Sequence, residues 1–516
     1  MIQKNKETRT NILKGAEILY DAVSSTMGPK GRNVIIKDKL GRFSVTHDGV
    51  TVAKAVKHDD PAIQLGIDLI KEASKEMDKV GDGTTTVTVL TYHLIKGLYE
   101  LINGKWYRKG MNPMMIKREL DYLVDGLIDY VEYNSTKIGK NYNDVFDVAN
   151  ISVADETLAA MVAKLVVGTG YEGTINVQTQ AINETTAELV EGYLLPNGYA
   201  SEHFITNQSS RECVIENPTI IIVNGKMDSM QTYDEFLGDL VASNKRDLVF
   251  ICESIDSDLL TSLVYNKIKG QIRAVVIKNT FGVEYATDIA SVVGAEVYEK
   301  FTALPTVDIV GSAKRVVVTD GETIIFGGAG DSSARLKDLT SQNKKKPTNE
   351  LKQRISALSG KVGSIKVGGV TETEADEKKY RIDDAVAATR AAIKGGIVPG
   401  AGRTLYNASK SIMGKNTTKV VKAVREALRK PGEILLSNSG YSTKILSKMG
   451  PDEGIDVSTG YRVMLIPNGI VDPTIVTTEV IRNAFAVAGL AITIGGSIVD
   501  KPMTQEEIKA MLDARL

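Results

Sequence analysis

Six consecutive residues, Gly81-Asp82-Gly83-Thr84-Thr85-Thr86, have the types and spacing for phosphate chemistry. They join two stretches of helical period. Upstream, Ile63, Gly66/Ile67, Ile70, Ala73, Met77 and Val80 recur at three and four; downstream, Val87, Leu90, Leu94, Leu98 and Leu101 do the same. The link predicts a tight turn that opens a helix. Its glycines allow close backbone approach, and the free N–H groups and dipole of the following helix favour phosphate. Asp82 would repel phosphate unless a cation lay between them, so it reads as a Mg²⁺ ligand. Taken alone, the hexamer reads equally well as an Asp/Thr-rich helix cap.

Other stretches could share that chemistry. Gly28-Pro29-Lys30-Gly31-Arg32-Asn33 ends a predicted helix over 11–27 and reads as a basic turn or a second phosphate cradle; it lacks the Lys-Ser/Thr ending of a P-loop. Asp48-Gly49 follows a strand, where a fixed carboxylate can position metal or water, although Asp-Gly is commonly only a turn. Arg381-Ile382-Asp383-Asp384-Ala385 puts two carboxylates on different sides of a helix. Asp384 sits among alanines that allow another element to come close, and spacing leaves open a proton or water role or plain surface charge. Gly395 through Gly402 is a close-approach loop, and Asp472 precedes a helix.

These groups need a scaffold. Helices are predicted at 62–80, 84–103, 113–133 and 155–166, then at 403–412, 416–430, 432–449, 475–491 and 504–515. Strands are predicted at Val34–Ile36, Phe43–Thr46 and Thr174–Val177, with turns at Leu40-Gly41 and Gly168–Gly173. The loop Gly104–Gly110, with Trp106, reads as surface, as does His47. From about 188 to 365 strand-like runs at 220–223, 248–251 and 274–277 alternate with helices at 229–243 and 257–269, which suggests a partly parallel sheet. The polar run Asp338–Asn349 reads as a solvated bend. Helical sequence at both ends around an α/β middle predicts one domain built from both ends, with the middle inserted.

Composition narrows the classes. Acidic and basic residues nearly cancel, 64 against 63, so nothing points to nucleic acid or a membrane surface. The two cysteines, Cys213 and Cys252, fit no metal spacing and suggest a reducing compartment, as small buried residues. The start of the chain is polar, with no signal peptide, and no long apolar run predicts a membrane span.

In this order the motifs resemble the group I chaperonin family, the GroEL-like sixty-kilodalton ATPases. The resemblance covers nearly the whole chain. It rests on Gly28–Asn33, Asp48-Gly49-Val50, Gly81–Thr86, Gly110–Pro113, Arg381–Ala392, Gly400-Ala401-Gly402 and Leu465–Pro473. It implies a multidomain α and α/β fold. Residues 1–132 with 397–516 would form a mainly helical equatorial ATPase domain, 133–187 with 366–396 a small intermediate domain, and 188–365 an α/β apical domain that binds clients. ATP and Mg²⁺ are the implied cofactors, with K⁺ as a further cation. The implied partners are further copies in a seven-membered ring, non-native proteins and a co-chaperonin lid, in the cytoplasm.

Residue by residue, the resemblance makes Asp82 the metal ligand. Gly81, Gly83, Thr84, Thr85 and Thr86, together with Gly28, Pro29, Lys30 and Gly31, become phosphate-side contacts. Asp384 is the carboxylate required for hydrolysis and Asp48 the one that helps place the attacking water. Gly400 and Gly402 would touch adenosine, with Ala401 replacing a glycine, and Asp472 would bind ribose. Asp456-Val457-Ser458 stands where the family has Asn-Ala-Ala. Tyr199, Phe204, Leu237, Leu260, Leu263, Val264 and Tyr265 would form an exposed client-binding rim, made more polar by Glu202 and His203. Asn197 replaces an arginine whose partner matches Glu372, so that interdomain ion pair is absent. The family's initial strand is mostly missing and its Gly-Gly-Met tail is lacking. Two other readings stay open: a ring-forming scaffold for one partner, and a small-molecule kinase using the same loops.

Overall fold

The computed structural model describes residues 2–499 apart from 5, 38–42, 47, 79, 105–109, 140, 171–174, 181, 196, 209–210, 229, 281, 300–304, 347 and 413–416. The expectations for Leu40-Gly41, His47, Trp106, residues 171–173 of the predicted bend and a helix at 504–515 lie outside the described residues; Gly168 and Thr169 belong not to a bend but to the helix Glu156–Thr169. The chain divides into two compact units. One comprises Met1–Val167, Thr179–Thr186 and Val367–Leu516; the other comprises Gly168–Gln178 and Ala187–Lys366.

The first unit is mainly helical. Its centre is the helix Thr84–Ile102, whose Val87, Leu90, Leu94, Leu98 and Leu101 are all buried. Around it pack Lys6–Ser24, Pro61–Asp78, Lys419–Asn438 and Thr474–Thr493, with Pro113–Tyr133 against the last of these, in one apolar core. The 3.6-residue apolar period dictates this arrangement, because each helix must bury its stripe. Thr474–Thr493 is apolar on most sides and is long and apolar enough to cross a membrane. Ala484, Ala488 and Ile492 of that helix lie instead in the core, and the Tyr99 hydroxyl donates to the Ala491 carbonyl at 3.0 Å. Two further helices, Tyr142–Val153 and Glu372–Gly395, pack on each other. The chain enters and leaves this pair side by side, where Thr136 and Ile397 exchange backbone hydrogen bonds at 2.8 Å.

The second unit is built on a ten-stranded sheet. Thr219–Asn224, Asp247–Cys252 and Arg273–Lys278 run parallel, joined by the helices Met230–Ala242 and Ser257–Ile268. Near-continuous apolar runs at Ile220–Val223 and Leu248–Ile251 suit strands covered on both faces. Gly311–Val318 then turns antiparallel against Thr323–Gly328. Cys213 and Cys252 are free and buried, and burial pushes each thiol up to about 12.

Several elements differ from the sequence-based expectation. Asp338–Asn349 is not a solvated bend; Ser333–Lys345 is a helix. Leu339 anchors it in the core, and Arg335 and Arg354 both reach the wholly buried Asp288, the Nε atoms at 2.7 and 2.6 Å. Residues 416–449 do not form two helices split at Pro431. Lys419–Asn438 runs through that proline, and a 3₁₀ segment, Thr443–Lys448, follows. Gly402 packs closely on the helix there, since a Cβ on Gly402 would lie 2.6 Å from the Gly432 nitrogen. An initial strand is present: Ile2–Lys4 pairs antiparallel with Gly496–Ile498.

The proposed exposed rim is also corrected. Phe204 is 0% and Leu263 1% exposed, and both belong to the core of the second unit. The 3₁₀ turn Glu202–Phe204 is held onto the helix Ser257–Ile268 by the Lys267 ammonium, which donates to the carbonyls of His203 at 2.7 Å and Ile205 at 3.0 Å. That clamp turns Phe204 inward. Leu259 and Leu263 form the buried stripe of the helix, which leaves Tyr265 at 58% and Ile268 at 75% exposed on its outer side. Tyr199, Leu237, Leu260 and Val264 are partly buried against the core. Glu202 pairs with Arg211 at 2.5 Å.

Candidate functional site

The Gly81–Thr86 turn forms because two of its residues take left-handed backbone angles, Gly81 at φ 80° and Gly83 at φ 89°. Gly83 is the N-cap of Thr84–Ile102 and offers no side-chain cap. The first N–H groups of that helix therefore have no partner within it. Asp82 accepts the Gly83 N–H at 2.5 Å, and burial raises its carboxyl above the usual range.

Asp48 stands at the end of the strand Phe43–Thr46 and caps the short helix Gly49–Ala55. Its carboxylate accepts the N–H groups of Val50 at 3.1 Å and Thr51 at 2.7 Å, which fixes its direction. A Cβ on Gly49 would lie 2.3 Å from Thr85 Oγ1, so this cap presses directly on the threonine turn. Asp384 arrives from a third direction, on the helix Glu372–Gly395. Arg381, one turn earlier, pairs with Glu377 and donates to the Val153 carbonyl at 3.4 Å, tying this helix to Tyr142–Val153.

These groups line one cavity of about 620 Å³ inside the first unit. Its walls include Gly28, Pro29, Asp48, all six residues Gly81–Thr86, Asp384, Gly402 and Asp472. The volume lies in the ordinary range for a small-molecule site. Lys30, Gly31 and Gly400 are not on the walls. The Lys30 ammonium sits 6.0 Å from the Tyr441 ring centroid, the Gly31 N–H donates to the Gly28 carbonyl at 2.8 Å, and the Gly400 N–H donates to the Ile470 carbonyl at 3.0 Å.

Asp472 lies in the strand Val471–Pro473, opposite Val398 of Ile397–Pro399. Burial, and then the neighbouring charge of Asp82, push its carboxyl up to about 7. A buried carboxyl whose proton affinity is raised further by a second carboxylate favours a cation or hydroxyl donors beside it. That fits a hydrated Mg²⁺ that takes most of its ligands from phosphate and water. Asp456 turns back on its own loop, accepting the Ser458 N–H at 2.9 Å and the Thr459 hydroxyl at 2.7 Å.

Sequence reasoning missed several wall residues. Asn150–Ala154, Glu377, Tyr380, Arg381, Leu435 and Ile455 all border the cavity. It also missed Arg403, which is 1% exposed. Its guanidinium donates to the carbonyls of Leu446 at 2.8 Å and Met449 at 2.7 Å, and also to that of Gly450. The segment it holds leads into the hairpin Glu453–Ile455/Arg462–Met464 at the cavity wall. An arginine opening a helix just after a loop of small and apolar residues was the available signal.

Comparison with known proteins bears on this geometry. The sequence model of the TCP-1/cpn60 chaperonin family matches residues 19–502. Two crystal structures of the chaperonin gp146 from the bacteriophage EL 2 (Pseudomonas aeruginosa), obtained in the presence of ATP-BeFx, are similar throughout. They superpose with TM-scores of 0.66 and 0.63 at 20% sequence identity, over 97% of this chain and 99% of theirs. At that identity the likeness speaks for the fold.

Proposed function

Because the chain belongs to the TCP-1/cpn60 chaperonin family, whose members are ring-forming, ATP-hydrolysing folding machines, we propose that the cavity of the first unit is where ATP is bound and cleaved. The observation that supports this most is convergence. Asp48, Asp384 and the Gly81–Thr86 turn come from three distant stretches and line one small-molecule-sized space.

In this reading the free N–H groups of the Thr84 helix and the threonine hydroxyls hold the phosphates and stabilise the charge that develops on them. Asp82 would hold Mg²⁺, which when bound neutralises phosphate charge. Asp384 accepts a proton from, or orients, the attacking water, and Asp48 shares in placing it. Each Asp48 oxygen already accepts one N–H and keeps a second lone pair for that purpose. Asp472 accepts from ribose hydroxyls, and Gly402 lets the nucleoside approach the backbone.

The same reading assigns 1–132 with 397–516 to an equatorial domain, 133–187 with 366–396 to an intermediate domain and 188–365 to an apical domain, on the group I plan. The client face of the apical domain is narrower than the sequence implied. Tyr265 leads it, with Ile268 beside it and Tyr199, Leu237, Leu260 and Val264 at its edges. Apolar area repeated around a ring binds an unfolded chain without reading its sequence. A seven-membered ring and a lid belong to this proposal, as does a reducing, cytoplasmic setting for the two free thiols.

Recovery of a denatured model enzyme, with and without ATP, tests it, together with native mass and particle imaging. A ring that restores activity only with ATP is expected. A monomer, or a ring that hydrolyses ATP without affecting any client, would overturn the folding role.

A further inference from the structure

The helix that carries Asp384 meets the phosphate turn at the methyl group of Ala387. A Cβ built on Gly81 would lie 2.1 Å from the Cβ of Ala387. Glycine facing alanine is thus as close a seat as two such backbones take, and added bulk at either position must push the elements apart. Ala387 follows Asp384 by three residues, so the methyl and the carboxylate share one face of Glu372–Gly395. Asp384 lines the cavity, whereas Ala387 lies one turn further along and off its walls. Ala385 and Ala388 are buried, which fixes the roll of the helix.

The turn itself is braced from the other side. A Cβ on Gly83 would lie 2.9 Å from Met77 Cε and from Val476 Cγ1, and 3.0 Å from Val480 Cγ2. The Gly81 N–H donates to the Met77 carbonyl and the Val87 N–H to the Gly83 carbonyl, both at 2.9 Å. Extra volume at residue 387 therefore displaces the helix rather than the turn. Asp48 is seated in a similar way, through its neighbour Gly49 on Thr85.

We propose that Ala387 is a positioning residue for ATP cleavage: its methyl, seated on Gly81, sets the distance of Asp384 from the phosphate turn. This rests on the cavity being the ATPase site. The nucleotide is held by other elements, so residue size at 387 governs turnover and leaves affinity alone. A misplacement of about 1 Å lowers turnover on the order of 10²-fold.

Steady-state ATPase rates and ADP titrations of the full chain, with Ala387→Val and Ala387→Leu made alone and on Asp384→Asn, test this. Turnover should fall with side-chain volume, on the order of 10²-fold for leucine, while the ADP Kd stays within about threefold. On Asp384→Asn the same changes should alter the residual rate by less than about threefold, because no carboxylate remains to be misplaced. Undiminished turnover in Ala387→Leu would overturn the inference. So would equal losses in both backgrounds, parallel loss of ADP binding, or failure of both Ala387 variants to fold. Absent turnover in the unsubstituted protein would instead reject the ATPase reading itself, and this inference with it.

Discussion

Arg403→Met removes one guanidinium and keeps most of the aliphatic stem. In the native chain that guanidinium donates to the carbonyls of Leu446, Met449 and Gly450, and it reaches the Pro451 carbonyl at 3.4 Å. Methionine leaves the enclosed carbonyls of Leu446 and Met449 without that donor, while Gly450 keeps the Glu453 N–H at 3.3 Å. Each such loss costs about 1–2 kcal/mol. Removing the arginine also relieves its own desolvation, so the net destabilisation should be about 2–4 kcal/mol. The loss should be local in its functional effect. Residues 446–451 lead into the hairpin whose Ile455–Ser458 form part of the cavity wall, so the KM for ATP should rise more than kcat falls. Urea unfolding at fixed protein concentration, with ATPase kinetics on the folded protein, measures both. A midpoint change equivalent to less than about 1 kcal/mol would refute the reasoning, since the carbonyls would then have found other donors.

Ala401 has φ 56°, a left-handed angle that costs a non-glycine residue about 1–2 kcal/mol, so Ala401→Gly should raise stability by about 1 kcal/mol in the same unfolding assay. Asp472 is raised to about 7, so its folded form holds a proton that the unfolded chain has released. Between the ordinary carboxylate range and pH 7 the native state binds more protons, and nucleotide-free stability should fall as pH rises through that window, then level off above it, by about 2–4 kcal/mol. Asp472→Asn should flatten that slope in thermal unfolding measured across pH. Tyr265→Ser should leave assembly and ATPase activity intact and weaken retention of a denatured client several-fold, read by co-sedimentation. Leu263→Ser, in contrast, should destabilise the second unit by about 3 kcal/mol or more, because it puts a hydroxyl into the core.

The long helices were legible because each pairs an apolar stripe with end signals. Pro113 and Asn112 mark the start of one, and Gly83 the start of another. The alternation of apolar runs and helices likewise gave the parallel part of the second unit. Elements held by tertiary contacts were not legible. The Ser333–Lys345 helix has a polar sequence and is fixed by one leucine and by the ion pair of Arg335 with Asp288, far upstream in the chain. Pro431 reads locally as a break, yet the helix continues through it, with Pro431 and Gly432 buried in tertiary packing.

Periodicity also could not tell which side of Ser257–Ile268 faces inward. Leucines at 259, 260 and 263 all look equally able to bind a client, and only packing shows that two of them are core. At the candidate site, the glycine turns and carboxylates were visible as residue types. The wall residues Asn150–Ala154 and the buried Arg403 behind the wall were not, because their roles come from where distant segments meet.

The central claim is that the first unit cleaves ATP with Asp384 as the group that activates water. Parallel measurement of ATP turnover and ADP affinity in Asp384→Ala tests it most directly. Turnover should fall by about 10²–10⁴-fold with the Kd for ADP unchanged within about threefold. Undiminished turnover, or loss of nucleotide binding in step with loss of turnover, would contradict it.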